Sequence, residues 1–435
     1  MPPDAMSDCG PDLLIVAASA RALAQSAVKA GLRPAVIDAF GDRDTRAAAV
    51  SASRVPLTAE GLAPDALQKA FRRDTARFGA TLKGWIAGAG AENCSGLFAG
   101  FARQLPLLGN RPDVFRRCTG HAMPALAADC GLPCVAWREE LPALSKSPTA
   151  AGGAHIRYID GTANDGGAHN RHAAGAADTA GGNGAANTRH AIGAADDDSA
   201  AQNRRDGGTA DDGARRCRQT YLPGVGVSHL FVADGRSAVT LGFSTQWHSR
   251  HCRERPFAYG GAVNRCALSG AARAQAEKGA RALTAALGLR GINNADYLYC
   301  AGRLYFLELN PRPGATLALM DGDYPRGLLD VHLQACFGHP AAPRPAAAVR
   351  ACAVVYAAAD IVLPDNFDWP RAACDVPVAG GVFRAGDPLC SLMAEDSAVA
   401  PALSRLQASI RGLTERLGRL RRPVSMAAAT IEVAA

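Results

Sequence analysis

The stretch from Asp296 to Pro313, Asp-Tyr-Leu-Tyr-Cys-Ala-Gly-Arg-Leu-Tyr-Phe-Leu-Glu-Leu-Asn-Pro-Arg-Pro, constrains this chain more than any other segment. Tyr297 to Cys300 and Leu304 to Leu309 are rich in aromatic and aliphatic residues, and Ala301-Gly302-Arg303 supplies a turn between them. That pattern predicts a β-hairpin. With those three residues as the loop, Asp296 pairs opposite Glu308. Side chains two apart share a strand face, so Asn310 joins Glu308, and Arg312 follows on the same parity between Pro311 and Pro313. Two carboxylates and an amide oxygen then converge from adjacent strands. Hard oxygen donors of this kind suit Mg2+, with Mn2+ as a substitute, held together with substrate phosphates. The ordinary alternative is an edge hairpin with solvated charges. Against it, both acids interrupt apolar strands and would be costly to bury without a cation.

These residues carry a family resemblance. Asp296, eleven intervening residues and then Glu308-Leu-Asn310-Pro-Arg312-Pro resemble the metal-binding hairpin of the ATP-grasp superfamily. That superfamily comprises carboxylate–amine and carboxylate–thiol ligases, biotin carboxylase and D-alanine–D-alanine ligase among them. The resemblance implies that Asp296, Glu308 and Asn310 hold Mg2+ on the ATP phosphates. It also implies that Arg312 stabilises the transition state leading to an acyl phosphate.

Size and composition suit a large multidomain enzyme. The chain has 435 residues, 48% of them hydrophobic, enough for two or three cores. No apolar run approaches a membrane span, and the start of the sequence lacks a secretory pattern. The 13 cysteines are an odd number with no Cys-x-x-Cys pair, which argues against a disulfide framework. A cytoplasmic location is therefore expected. His248-x-x-His251-Cys252 invites a zinc reading, but no second cluster at ligand spacing accompanies it. The net charge of +7 comes almost wholly from scattered arginine, with no basic stripe interleaved with aromatics. Nucleic-acid binding is not expected.

The expected fold class is α/β: a Rossmann-like domain over residues 11–110, a two-lobed ATP-grasp fold over 111–335, and a small β-rich module with a terminal helix over 346–422. Leu13 to Ala18 reads as a buried strand, Ser19 as the N-cap of a helix through Ala30, and Pro34 to Asp38 as a second strand. The first turn lacks Gly-x-Gly-x-x-Gly, so a dinucleotide site is not expected. This opening resembles the pre-ATP-grasp domain, which in the family helps to bind the acceptor. Ser19 and Arg21 at the helix start are anion-binding candidates. Glu92, after the glycine-rich run beyond Trp85, is a candidate for the same cleft.

Lys146 is the only lysine between residues 84 and 277 and precedes Gly152-Gly153. Adjacent glycines let backbone N–H groups close over phosphate oxygens. The order resembles the family's strand lysine and phosphate lid. Residues 160–216 are low in apolar bulk and full of Gly, Ala, Asn and Asp, which reads as a disordered insertion. Beyond it, Gln219, Thr220, Tyr221 and Leu222 stand where the family's hinge strand binds adenine through its backbone. The acidic residues that many members place there are missing. Pro256 to Ala262 reads as an open loop offering Tyr259 and Gly260 to the acceptor. A helix is expected from about 270 to 287. The last helix spaces Leu403, Leu406, Ile410, Leu413, Leu417 and Leu420 as one apolar stripe, which packs on the body or, alternatively, forms a homodimer seam.

The expectation is an ATP-dependent ligase joining a small-molecule carboxylate to an amine. A narrower resemblance, to the ATP-grasp proteins accompanying tetrahydromethanopterin-linked one-carbon genes in methylotrophs, suggests synthesis of a pterin or furan coenzyme. A bicarbonate-using carboxylase and a nucleotide-binding protein without turnover are the alternatives.

Overall fold

The computed structural model describes residues 10–58, 60–118, 122–135, 143–146, 156–159, 217–249, 255–339 and 342–420. The expected insertion at 160–216, together with Gly152, Gly153, His251 and Cys252, lies outside the described residues.

The chain opens with β1 (Leu13–Val16), α1 (Arg21–Lys29), β2 (Pro34–Asp38), α2 (Arg43–Ala48) and β3 (Ser51–Arg54). A small hairpin follows, β4 (Leu57–Thr58) with β5 (Gly61–Leu62), then α3 (Pro64–Phe78), β6 (Gly84–Ala87) and α4 (Ser95–Gln104). The sheet is wholly parallel in the order β3-β2-β1-β6. All four residues of β1, Leu-Leu-Ile-Val, are buried, as expected for a strand covered on both faces. One face is packed by an aromatic cluster in which Phe71 stacks on Phe101 at 3.9 Å and Trp85 meets both edge-on.

The first helix departs from expectation. It begins at Arg21 behind Ala20, with no side-chain cap. Ser19 instead donates to Asp375 Oδ1 at 3.0 Å, a partner far along the chain.

Next come α5 (Pro112–Arg117), α6 (Ala122–Asp129), and a three-stranded sheet in which β7 (Ala143–Lys146) lies between β8 (Arg157–Ile159) and β9 (Cys217–Thr220). The main body is an eight-stranded sheet. It is built from β10 (Val225–Asp234), β11 (Ala238–His248), β12 (Tyr259–Val263), β13 (Arg290–Cys300), β14 (Arg303–Asn310), β15 (Val349–Tyr356), β17 (Ala373–Cys374) and β19 (Pro388–Asp396). A further pair, β16 (Ile361–Val362) with β18 (Val382–Phe383), stands apart.

The period-2 alternation of β10 explains how that sheet is covered. Leu230 and Val232 pack with α9 (Gly327–Cys336) on one face; Phe231 and Ala233 pack with α7 (Gly270–Leu287) on the other. Ser269 caps α7 by accepting from Ala272 N at 3.2 Å, and Gly288 closes it with a φ of 67°. A short helix, α8 (Leu317–Met320), follows the hairpin.

Two sequence expectations are corrected here. Tyr259 and Gly260 are not in an open loop: β12 is wholly buried, hydrogen-bonded to β11 on one side and β15 on the other. The strands placed in a separate C-terminal module continue the main sheet, because Gly261 to Val263 pair with Ala351 to Ala353. The final helix, α10 (Val399–Arg419), lays Ala402, Leu406 and Leu413 onto β15 and β19, so its apolar stripe is used within the chain.

Candidate active site

The hairpin β13–β14 reaches the expected pairing by a different route. Its turn has two residues, since Cys300 pairs with Arg303. Ala301 (φ 46°) and Gly302 (φ 79°) both take the left-handed conformation that such tight hairpin turns require. A two-residue turn alone would shift every pair by one, but Tyr297 pairs with Phe306 while Asp296 pairs with Glu308. Leu307 is the extra residue, and this bulge restores the register.

Asp296 is fully buried and surrounded by amide donors. Asn294 Nδ2 donates to its Oδ1 at 2.9 Å and Asn310 Nδ2 to its Oδ2 at 3.0 Å, with Gln246 Nε2 more distant at 3.4 Å. Asn310 Nδ2 also donates to Glu308 Oε1 at 3.1 Å, tying the two acids together. Behind them, Ser228 donates to Asn294 Oδ1. Burial, reinforced by the charge of Glu308, pushes the Asp296 carboxyl up to about 7. Two acids forced together in an apolar sheet and supplied with only neutral donors make a site suited to a hard divalent cation. Asn294, Gln246 and Ser228 were missed from sequence. Asn294 had a signal, since it lies two residues before Asp296 on the same strand face.

Arg312 is 2% exposed and is held from two sides. Its Nη2 donates to Asn310 Oδ1 at 2.9 Å, while Nε and Nη2 both meet Glu92 Oε1. Glu92 sits in a single 3-10 turn, Glu92–Cys94, after β6. The N-terminal sheet therefore delivers a carboxylate to the arginine that follows the paired acids.

Beside the hairpin lies a crevice of about 410 Å3. Gln219, Thr220, Tyr221 and Leu222, the four expected hinge residues, line it together with Val135, Leu144, Ile156, Phe257, Leu298 and Leu307. Leu307 is the residue that the bulge inserts. Lys146 ends β7, two residues after Leu144, with its main chain opposite Cys217. An apolar slot bordered by the end of β9 and the residues that follow it suits a flat heteroaromatic ring.

A second pocket, of about 500 Å3, lies between the N-terminal sheet and the segment after Arg312. Ser19, Arg21, Ala89, Pro313, Gly314 and Asp375 are among its walls. The sequence reading of Ser19 and Arg21 as an anion site meets an obstacle here. Arg21 Nε already donates to Asp375 Oδ1 at 2.8 Å and lies 3.7 Å from Asp44. The neighbouring Asp38 carboxyl is raised to about 6, chiefly by burial and also by Asp375, although three backbone N–H groups oppose the shift. Negative charge is in excess around this pocket. Tyr259 does not line this pocket; it is buried, with its hydroxyl 3.7 Å from Cys352 Sγ and its acidity suppressed by burial and then by Cys352. Gly260 lines a different groove, beside α10.

Comparison with known proteins places this geometry. Residues 188–316 match a family model described as the ATP-grasp domain. The fold is ATP-grasp. Biotin carboxylase from Campylobacter jejuni, solved with β-γ-ATP, superposes with a TM-score of 0.65 at 11% identity, over 94% of this chain and 95% of its own. The biotin carboxylase domain dimer of Hydrogenobacter thermophilus 2-oxoglutarate carboxylase, solved with MgADP, ADP and bicarbonate, gives 0.64 at 10% identity, over 92% and 89%. The N5-carboxyaminoimidazole ribonucleotide synthetase of Thermus thermophilus gives 0.58 at 15% identity, over 94% and 98%. At such identities these likenesses concern the fold. No curated protein sequence matches the chain. Among the described residues no helix is long and apolar enough to cross a membrane.

Proposed function

We propose that this ATP-grasp chain is an ATP-dependent ligase that activates a small-molecule carboxylate as an acyl phosphate for attack by an amine. The observation that carries the reading is the register of the hairpin: Asp296 opposite Glu308, with Asn310 tied to both, beside a crevice walled by Gln219 to Leu222. Adenine would lie in the crevice between Leu298 and Leu307, recognised through the hinge backbone. Lys146, Gly152 and Gly153 would hold the phosphates. Asp296, Glu308 and Asn310 would hold Mg2+, or Mn2+ in its place, which when bound would supply charge neutralisation for the phosphates.

Arg312 would stabilise negative charge developing on the transferring phosphoryl group. Its guanidinium is already oriented by Glu92 and Asn310, so little reorganisation is needed as the reaction proceeds. Ser19, Arg21, Glu92 and Tyr259 would form the acceptor side. An N-terminal domain ending at 110, a homodimeric assembly, and a role in building a pterin or furan coenzyme belong to the same proposal.

The second reading is a carboxylase in which bicarbonate is the carboxylate. The superposition on two biotin carboxylase structures over more than nine-tenths of the chain favours it. ADP release measured against panels of carboxylates, bicarbonate included, with and without amines, tests both. Stimulation by an organic carboxylate plus an amine supports the ligase. Stimulation by bicarbonate alone supports the carboxylase. ATP binding with no turnover under any condition would make the chain a nucleotide-binding protein and overturn both readings.

A further inference from the structure

Leu406 and Leu413 of α10 are buried against β15 and β19, whereas Leu403 and Ile410 on the same helix are only half-buried. Beside them a groove of about 1470 Å3 opens between α10 and strands β11, β12 and β15. It is far larger than the crevice of about 410 Å3 beside the hairpin. Its strand side carries the rings of Trp247 and Tyr356, and its helix side Leu403 and Ile410. No described residue of β13 or β14 lines it. The alternation of β11 separates the two sites. Gln246 Nε2 is turned toward Asp296, at 3.4 Å, and Trp247, the next residue, toward the groove.

The charge of this groove has one sign. Among the described residues that line it none is acidic, and Arg411 is the only one fully charged at neutral pH. Gln407, Arg411 and Thr414 lie on one face of α10 and set an amide, a guanidinium and a hydroxyl along one rim. Arg411 is exposed and forms no hydrogen bond or ion pair among the described residues, although Glu415 stands one turn further on. A guanidinium is a planar fork of donors that matches a carboxylate, and its carbon stem lies readily along apolar surface. A purely apolar molecule would leave these donors unused, and a cation would meet Arg411 as a like charge. Apolar walls with a few polar groups at one edge are the usual make-up of a small-molecule site.

We propose that this groove binds an amphipathic carboxylate, its aromatic or acyl body against Trp247, Tyr356 and Ile410 and its carboxylate on Arg411. The site is separate from both the nucleotide crevice and the acceptor pocket, and its occupation does not depend on the ligase reading.

Two acid–amide pairs read the charge and the body separately: indole-3-acetate with indole-3-acetamide, and octanoate with octanamide. Each amide keeps the shape of its acid and removes the charge. Every probe is titrated by calorimetry into the full-length wild type, Arg411→Ala and Arg411→Glu, with and without MgATP. Arg411 is exposed, so neither replacement disturbs the core. The expected result is saturable binding of at least one acid, with its amide about tenfold weaker. The pair that binds tells an aromatic body from an acyl one. Arg411→Ala should bring the acid down to the affinity of its amide and leave the amide unchanged. Arg411→Glu should weaken the acid further, and MgATP should change nothing. No saturable binding by any probe, equal wild-type affinity for acid and amide, or an acid preference that survives in Arg411→Ala would overturn the proposal. Competition by MgATP would put the probe in the nucleotide crevice and overturn it as well. Binding seen only in a chain cut after Leu420 would give the groove to residues 421–435, and binding lost as the protein self-associates would give it to a second copy. Either result removes the ligand site.

Discussion

Asn310 donates one amide hydrogen-bonding edge to both Asp296 and Glu308, at 3.0 and 3.1 Å, and so stands between two acids that would otherwise repel. Replacing Glu308 by Gln removes one of those charges at nearly constant shape. Without metal, the variant is predicted to unfold at higher denaturant than the wild type, by on the order of 1 kcal/mol, because the repulsion is gone. With Mg2+ and ATP the order should reverse, and turnover should be lost. Denaturant titrations with and without Mg2+ check both signs; equal metal stabilisation of wild type and Glu308→Gln would remove Glu308 from the cation site.

The hairpin turn holds a second handle. Ala301 is in the left-handed region at φ 46°, where a Cβ is strained. Asn tolerates that conformation and does not add the backbone freedom of glycine. Ala301→Asn is therefore predicted to stabilise the protein by about 0.5 to 1 kcal/mol, with nucleotide affinity unchanged. A destabilised variant in chemical denaturation would show that the turn is not the tight two-residue form.

His332 gives a pH dependence with a definite sign. Its ring accepts from Ile292 N at 2.9 Å and contacts Leu108 O at 3.0 Å, while burial lowers its pKa to about 4 from the ordinary 6.5. A depressed histidine adds stability above the unfolded value, and that stability is lost as pH falls through the folded value. Between pH 6.5 and about 4 the loss should reach roughly 3 kcal/mol. Denaturation midpoints over this window, compared with His332→Gln, should show a steeper decline in the wild type. Parallel declines would mean that His332 does not titrate this way.

Much of this was legible in the sequence where residue type and period agree. The buried runs of β1 and β2, the capped helix α7 and the approach of Asp296 to Glu308 all follow from local pattern. The three-residue turn was wrong, yet the pairing held because the Leu307 bulge compensates, and no local propensity announces a bulge. Tyr259 looked like loop because glycines follow it; pairing on both edges made it a central strand. Ser19 looked like a cap until Asp375, more than 350 residues away in sequence, claimed its hydroxyl. The Glu92–Arg312 pair depends on how the N-terminal sheet meets the hairpin, a long-range relationship that no window of sequence contains.

Lys146 and Arg312 are predicted to separate binding from chemistry. Lys146→Ala should weaken nucleotide binding and slow turnover together. Arg312→Ala should lower kcat far more than it raises the Kd for ATP, and Arg312→Lys should rescue only partly, since a point charge lacks the planar fork. Calorimetric ATP titration beside steady-state ADP release measures both quantities. Lost ATP affinity with kcat retained in Arg312→Ala would make the arginine a binding residue.

The central claim is that this ATP-grasp fold transfers the γ-phosphoryl group of ATP to a carboxylate. Positional isotope exchange reads that step without the amine: ATP labelled with 18O at the β–γ bridge is incubated with enzyme, Mg2+ and each carboxylate of the panel, bicarbonate among them. Reversible acyl phosphate formation frees the β-phosphate to rotate and moves the label out of the bridge. The account predicts carboxylate-dependent scrambling in the wild type and none in Glu308→Gln or Arg312→Ala. ATP that binds tightly yet keeps its bridge label with every carboxylate would contradict it.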